Sequence, residues 1–309
     1  MATPSISTNF GDLLDSRFQR IFEEQKGREQ LSDMIPSLFS MPTVSKTNDT
    51  VKWSNIGAFG DFGSFSGTVD YDDVNQGYDV TQTHVEFASG FQVERKLFDD
   101  DMYNIMDQRP SGLATAAVRT RQKHAARVFN NAFSVDTFFY THTEGVPLCS
   151  NSHTSTAAGT DTSTGFDNLA TSALSATALA ANRVQMVDFR DDRGNKFAIV
   201  PDTIIIPPAL YDVAFEIVAS TGRPDTAENN RNVHEGAYKV LEWNYLTDNN
   251  NWFLCDSTMQ KQHLHWVDRM PLEFAYAEDL DTITAKWRAY MRYSSSHDDW
   301  RWLMGNQVS

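Results

Sequence analysis

Two stretches of this sequence alternate apolar and polar residues over an unusual length. In the first, Thr83, Val85, Phe87, Ser89, Phe91, Val93 and Leu97 hold the odd positions, against His84, Glu86, Ala88, Gly90, Gln92 and Glu94. In the second, Ile283, Ala285, Trp287, Ala289, Met291 and Tyr293 alternate with Thr282, Thr284, Lys286, Arg288, Tyr290 and Arg292. Strand side chains point to opposite faces in turn, so each stretch predicts a long strand with one apolar face. Such faces must be covered. Phe10, Leu13, Leu14, Phe18, Ile21 and Phe22 recur at spacings of three and four, the mark of an amphipathic helix. A helix that short is marginal alone in water, so the segment reads either as a loose N-terminal region or as an arm whose stripe docks elsewhere.

Composition sets outer limits. The 309 residues are 40% hydrophobic, enough to bury a core and to divide into more than one domain. Lys and Arg total 26 and Asp and Glu total 41, and the net charge of −15 has the wrong sign for a dedicated nucleic-acid binder. No apolar run reaches the roughly 18 residues of a membrane span. The first ten residues lack the basic-then-apolar order of a secretory signal. Two cysteines, Cys149 and Cys255, cannot frame a disulfide network or a four-cysteine zinc site.

The charge is unevenly placed. From Ile56 to Val93 the ionised residues are Asp61, Asp70, Asp72, Asp73, Asp79 and Glu86, with no Lys or Arg. In this segment Gly57, Gly60, Gly63 and Gly67 alternate with Phe59, Phe62 and Phe65, a spacing that matches no nucleotide-binding fingerprint. Residues 99–134 read as helix. Asp99, Asp100 and Asp101 suit a helix start, Pro110 and Gly112 interrupt, and Ser111 can cap a second start. The longer helix carries Ala114, Ala117, Val118, Ala125, Val128, Phe129, Ala132 and Phe133 on one stripe. Its polar side holds Arg119, Arg121, Lys123, His124 and Arg127. Ordinary surface patterning would produce the same contrast between acidic loop and basic helix.

Residues 140–270 read as an α/β unit. Ser175 is placed to cap a helix carrying Leu179, Val184, Met186 and Val187, and 191–195 form a turn. Phe197–Val200 and Thr203–Ile206 read as short strands split by Pro201. Pro208 opens a helix in which Leu210, Val213, Ala214, Ile217 and Val218 share a face. The segment Thr221–Gly236 is polar and reads as loop. Strands at Tyr238–Leu246 and Trp252–Asp256, joined by a polar turn, predict a hairpin.

Chemistry is sparse. His263 and His265 sit two apart and share a strand face, as two metal ligands would, with Asp268 an unsupported third. Cys149 and His153 could form a nucleophile–base pair, but no motif surrounds the cysteine. Neither group amounts to a credible active site, so no catalytic, cofactor-binding or metal residue is assigned.

An ordered set of landmarks resembles the major capsid proteins of tailed bacteriophages, in the fold named for phage Hong Kong ninety-seven. Glu144-Gly145-Val146-Pro147-Leu148-Cys149-Ser150-Asn151-Ser152-His153 is similar to a "D-G-x-x-L-F-S-x-x-H" segment of the Mu-like branch, with Glu for Asp and Cys for Phe. Leu174-Ser175, then Asp192-Arg193-Gly194-Asn195, then Phe197 through Leu210 resemble the family's helix, glycine turn, paired strands and "V-P-P-x-L" helix start. The C-terminal strand leads to Arg292-Tyr293 and Trp300-Arg301-Trp302.

The resemblance implies an α+β fold. Residues 1–55 would be an N-terminal arm, 56–96 an extended β-hairpin (the E-loop), and 97–139 the peripheral domain's spine helix. Residues 140–270 would be the axial domain, and 271–309 strands returning to the peripheral domain. It implies a subunit that builds hexamers and pentamers of an icosahedral shell around packaged double-stranded DNA, assembled in the host cytoplasm and resident in the virion. A separate scaffolding protein, a portal and a decoration protein are the implied partners, with no cofactor, no membrane and no sequence-specific DNA contact. The founding member's lysine–asparagine cross-link has no lysine to use in residues 56–93. In this family the E-loop lies over a neighbour's peripheral domain. Asp70, Asp72 and Asp73 are therefore expected to approach Arg119, Arg121 and Lys123 of another copy. Three alternatives stay open: an encapsulin-like compartment shell, a metal-dependent hydrolase using His263 and His265, and a glycan-binding tail module using exposed Trp residues.

Overall fold

A computed structural model describes residues 11–44, 48–65, 67–69, 71–94, 105–196, 198–222, 231–279 and 284–308. The chain forms two compact units. The first gathers residues 1–37, 84–125 and 267–294, and the second 38–83, 126–266 and 295–309.

The first unit joins the two alternating stretches to each other. They become β3 (Val85–Glu94) and most of β10 (Thr284–His297), paired antiparallel. Register puts Val85 opposite Tyr293, Phe87 opposite Met291, Phe91 opposite Trp287 and Val93 opposite Ala285. The apolar positions thus coincide on one face. Strand β9 (Leu264–Asp279) completes the sheet in the order β3-β10-β9. Pro271 lies on β9, an edge strand, where a missing ladder donor is tolerated.

Helix α1 (Gly11–Gln30) covers this face. Phe18 and Phe22 are fully buried. Phe18 meets Trp287 edge-on at 5.0 Å, and Phe22 stacks on Phe274 at 4.6 Å. Burying each ring stabilises the unit by about 1.5–3 kcal/mol, so the apolar stripe of α1 docks within its own unit. A short turn of helix, α2 (Ile35–Leu38), follows. The long helix α3 (Gln108–Asn130) adds Leu113 and Ala114 to the same core. Pro110 does not interrupt α3. It sits in the first turn, where the missing N–H would have had no helical partner. Asp99, Asp100 and Asp101 lie outside the described residues.

The second unit holds a five-stranded sheet in the order β5-β11-β8-β6-β7. Its strands are β5 (Leu169–Ala170), β6 (Thr203–Ile206), β7 (Lys239–Glu242), β8 (Trp252–Cys255) and β11 (Leu303–Asn306). Strands β6, β8 and β11 are buried on both faces, which explains the apolar runs Ile204–Ile206 and Trp252–Cys255. The expected hairpin of β7 and β8 is not formed. Strand β6 lies between them, parallel to β7 and antiparallel to β8. Trp243 and Leu246 leave the strand path to enter the core, and Asp248 closes the polar turn locally on the Asn250 and Asn251 amides. Val200 is not in a strand either, since its amide bonds the Asp256 carboxylate at 2.8 Å.

Helix α4 (Ala176–Val187) lies over β8 and β11, and α5 (Tyr211–Ala219) against β7. Ser175 caps α4 by accepting from the Ala178 amide at 3.1 Å. Pro208 begins the 3-10 turn that leads into α5. Helix α6 (Ser257–His263) starts at Asp256, whose carboxylate accepts from the Thr258 and Met259 amides. A second sheet, in the order β1-β2-β4, joins β1 (Thr50–Ile56), β2 (Gln76–Thr83) and β4 (Tyr140–His142). Strand β1 opens ahead of residue 56, the expected start of the hairpin.

Candidate assembly surfaces

The hairpin of β1 and β2 runs in register from Thr50 opposite Thr83 to Ser54 opposite Asp79, then bulges before Ile56. Lys52 and Ser54 hold the Asp79 carboxyl down to about 2. At the neck, Gly57 donates to the Asn75 carbonyl at 2.8 Å. A Cβ on Gly57 would lie 2.1 Å from an Asp192 carboxylate oxygen and 3.0 Å from the Asn75 carbonyl, so a larger residue here would push Asp192 off the neck.

Beyond the neck the loop is anchored to the 191–195 turn. Asp192 accepts from the Ala58 amide, and Arg193 pairs with Asp72 at 2.7 Å. Asp72 also accepts from the Gly60 amide; this bond first, then Arg193, holds its carboxyl below the usual range. Arg193 further donates to the Asp73 carbonyl. Sequence reasoning missed Arg193, although its place in an Asp-Asp-Arg-Gly-Asn turn marks it as presented outward.

The loop's apolar side chains find little cover. Phe62 is 99% exposed, Tyr71 94%, Ile56 80% and Phe65 76%, with Phe59 and Val69 also exposed. Large exposed apolar patches are rare on soluble proteins and commonly mark sites of contact with another molecule.

The hairpin is rooted on histidines. The Trp53 indole lies 4.0 Å over the His265 ring, and its Nε1 donates to Gln82, which also accepts from Ser296. Asn55 donates to the Asp298 carbonyl. The Asp298 carboxylate sits 3.1 Å from His263 and 3.4 Å from His265. Burial raises the Asp298 carboxyl, but the two imidazoles hold it well below the usual range. The Tyr140 hydroxyl meets His297 at 3.0 Å, and the His142 ring stacks beside His297 at 5.5 Å. His142, Tyr78, His263, Asp298 and Arg301 line a cavity of about 370 Å³ there.

Among the described residues, no three His, Cys, Asp or Glu side chains converge as metal ligands. Cys149 and His153 are not a catalytic pair. His153 is bonded to Glu144 and Asn168 and stacked on Trp300, while burial pushes the Cys149 thiol up, away from the reactive thiolate.

The basic helix divides its charges. Arg119 and Lys123 are exposed on α3. Arg121 is not available to a neighbour, because its guanidinium grips Asp268 through two bonds of 2.7 and 2.9 Å beneath the Tyr293 ring. Arg127 is likewise held by Asp136. Asp70 lies outside the described residues.

Residues 78–304 match the family model described as phage capsid protein. A search of curated proteins finds no match. Among solved structures, the mature capsid of bacteriophage PhiM1 superposes with a TM-score of 0.61 at 10% identity, over 88% of this chain and 86% of that one. Mycobacterium phage Patience gives 0.58 at 8% identity, over 96% and 88%. The capsid of bacteriophage JBD30, decorated with minor capsid protein trimers, gives 0.51 at 14% identity, over 68% and 90%.

Proposed function

The chain belongs to the phage capsid protein family, and from that premise we propose that it is the major shell subunit of a tailed phage, building the hexamers and pentamers of an icosahedral head around packaged double-stranded DNA. It is a structural component of the virion, not an enzyme. One observation carries the finer reading: a β-hairpin whose tip exposes Ile56, Phe59, Phe62, Phe65 and Tyr71. That tip lies over the peripheral domain of a neighbouring copy. Asp70 and Asp73 are the acids offered to Arg119 and Lys123 there, because Asp72 is already held by Arg193 of its own chain, and Arg121 holds the neighbour's own sheet in place through Asp268.

The net charge of −15 suits a wall that encloses DNA without gripping it, since each phosphate contact adds salt-dependent affinity. Assembly takes place in the host cytoplasm on a separate scaffolding protein, with a portal at one vertex. A decoration protein is a further partner, as the JBD30 likeness suggests. The test is negative-stain microscopy and sedimentation of the chain expressed with its scaffold. Uniform closed shells are the expected result, and small oligomers under every condition would overturn the reading.

A further inference from the structure

Two helices of the second unit leave apolar stripes bare. Pro208 and then Tyr211, Phe215 and Ala219 of α5 are all exposed and recur at spacings of three and four. The Tyr211 and Phe215 rings lie 6.1 Å apart at 23°, forming one broad ridge. Asp212 and Glu216 flank the ridge, and no Lys or Arg lies between 208 and 219. On α4 the exposed residues Thr177, Ala180, Val184 and Val187 share a second stripe, flanked by Arg183, with no acid between 176 and 187. Val184 and Val187 open onto a cavity of about 620 Å³. Asp167 and Asp188 also line it, and Asp188 is paired with Lys196.

The fold uses the other sides of both helices. Ala214, Ile217 and Val218 of α5 and Leu179, Asn182 and Met186 of α4 are the buried faces. The two bare stripes differ in shape and in the charge at their edges: one is a large ridge flanked by Asp212 and Glu216, the other small and concave with Arg183 on its rim. The geometry points to a head-to-tail contact in which the Tyr211–Phe215 ridge of one copy seats in the Val184–Val187 socket of a second copy, with Asp212 and Glu216 against Arg183. Both halves belong to the same chain, so the contact repeats from copy to copy and closes when the rotation permits a ring. This rests on the shell reading and names the surfaces that build its rings.

Charge exchange tests it. Ring and shell content is read by sedimentation velocity and negative-stain microscopy for wild type, Arg183→Glu, the pair Asp212→Arg with Glu216→Arg, and the three together. All these side chains are exposed, so unfolding midpoints should stay at the wild-type value. Each reversal turns attraction into repulsion and should cut ring formation by about tenfold or more. The combined variant should recover most of it. Normal assembly of both reversed variants overturns the contact and leaves the capsid reading intact, as does a loss that the combined variant fails to rescue. A wild-type chain that never leaves the monomer with or without its scaffold fails the shell reading itself.

Discussion

Burial holds the His297 imidazole down to about 3, and neighbouring His142 adds to the effect; burial lowers His142 as well. A histidine whose folded value lies below its free value of about 6.5 stabilises the fold above that pH and loses the contribution as pH falls. His263 runs the other way. Burial lowers it, but Asp298 raises it further, so its contribution is complete below the free value and fades only as pH rises. In mildly acid solution, His142 and His297 therefore set the slope. The urea midpoint should fall between about pH 7 and about pH 5, and His297→Gln, which can still partner the Tyr140 hydroxyl, should flatten that fall. An unchanged slope in the variant would exclude His297 as its source. Arg121 is the second residue with a clear energetic consequence. Arg121→Ala removes the two charge-assisted bonds to Asp268 at a partly buried site and should cost about 1.5–3 kcal/mol in chemical denaturation, whereas Arg119→Ala should change little.

Elements were legible where a period ran long. The alternation of β3 and β10 predicted both strands and their apolar faces, because a one-residue slip would have turned every side chain to water. The start of α4 was legible from Ser175, and Ser175→Ala should destabilise the chain by about 1 kcal/mol in thermal or urea unfolding. A loss of several kcal/mol would mean that Ser175 does more than cap. Non-local pairing was not legible. Strands β7 and β8 looked like a hairpin because a polar turn separates them, but β6 offers both of its edges and takes one of them on each side. Nor could the sequence reveal that Arg121 faces Asp268 while Arg119 and Lys123 face water. That division depends on β9 meeting α3, a contact between residues 147 apart.

At the scale of the whole molecule, the question is what holds one copy to the next. The acidic loop and basic helix suggest charge, but magnitudes favour the rings. An exposed ion pair contributes about 0–1 kcal/mol. Covering a phenylalanine side chain contributes about 1.5–3 kcal/mol, and the loop tip presents three, at positions 59, 62 and 65. Apolar burial should therefore supply most of the affinity, and Arg119 and Lys123 should set approach and register. Salt separates the two, since screening shortens from about 10 Å at 0.1 M to about 3 Å at 1 M while apolar burial persists. Phe62→Ser with Phe65→Ser should abolish shells at both salt concentrations and leave the unfolding midpoint of the free chain unchanged, because both rings are already in water. Arg119→Glu with Lys123→Glu should slow assembly in low salt and recover toward wild type at 1 M. Light scattering during assembly follows both. If the charge reversals were the more damaging pair in low salt and wild-type shells failed to form at 1 M, the hairpin would be an electrostatic latch rather than an apolar one.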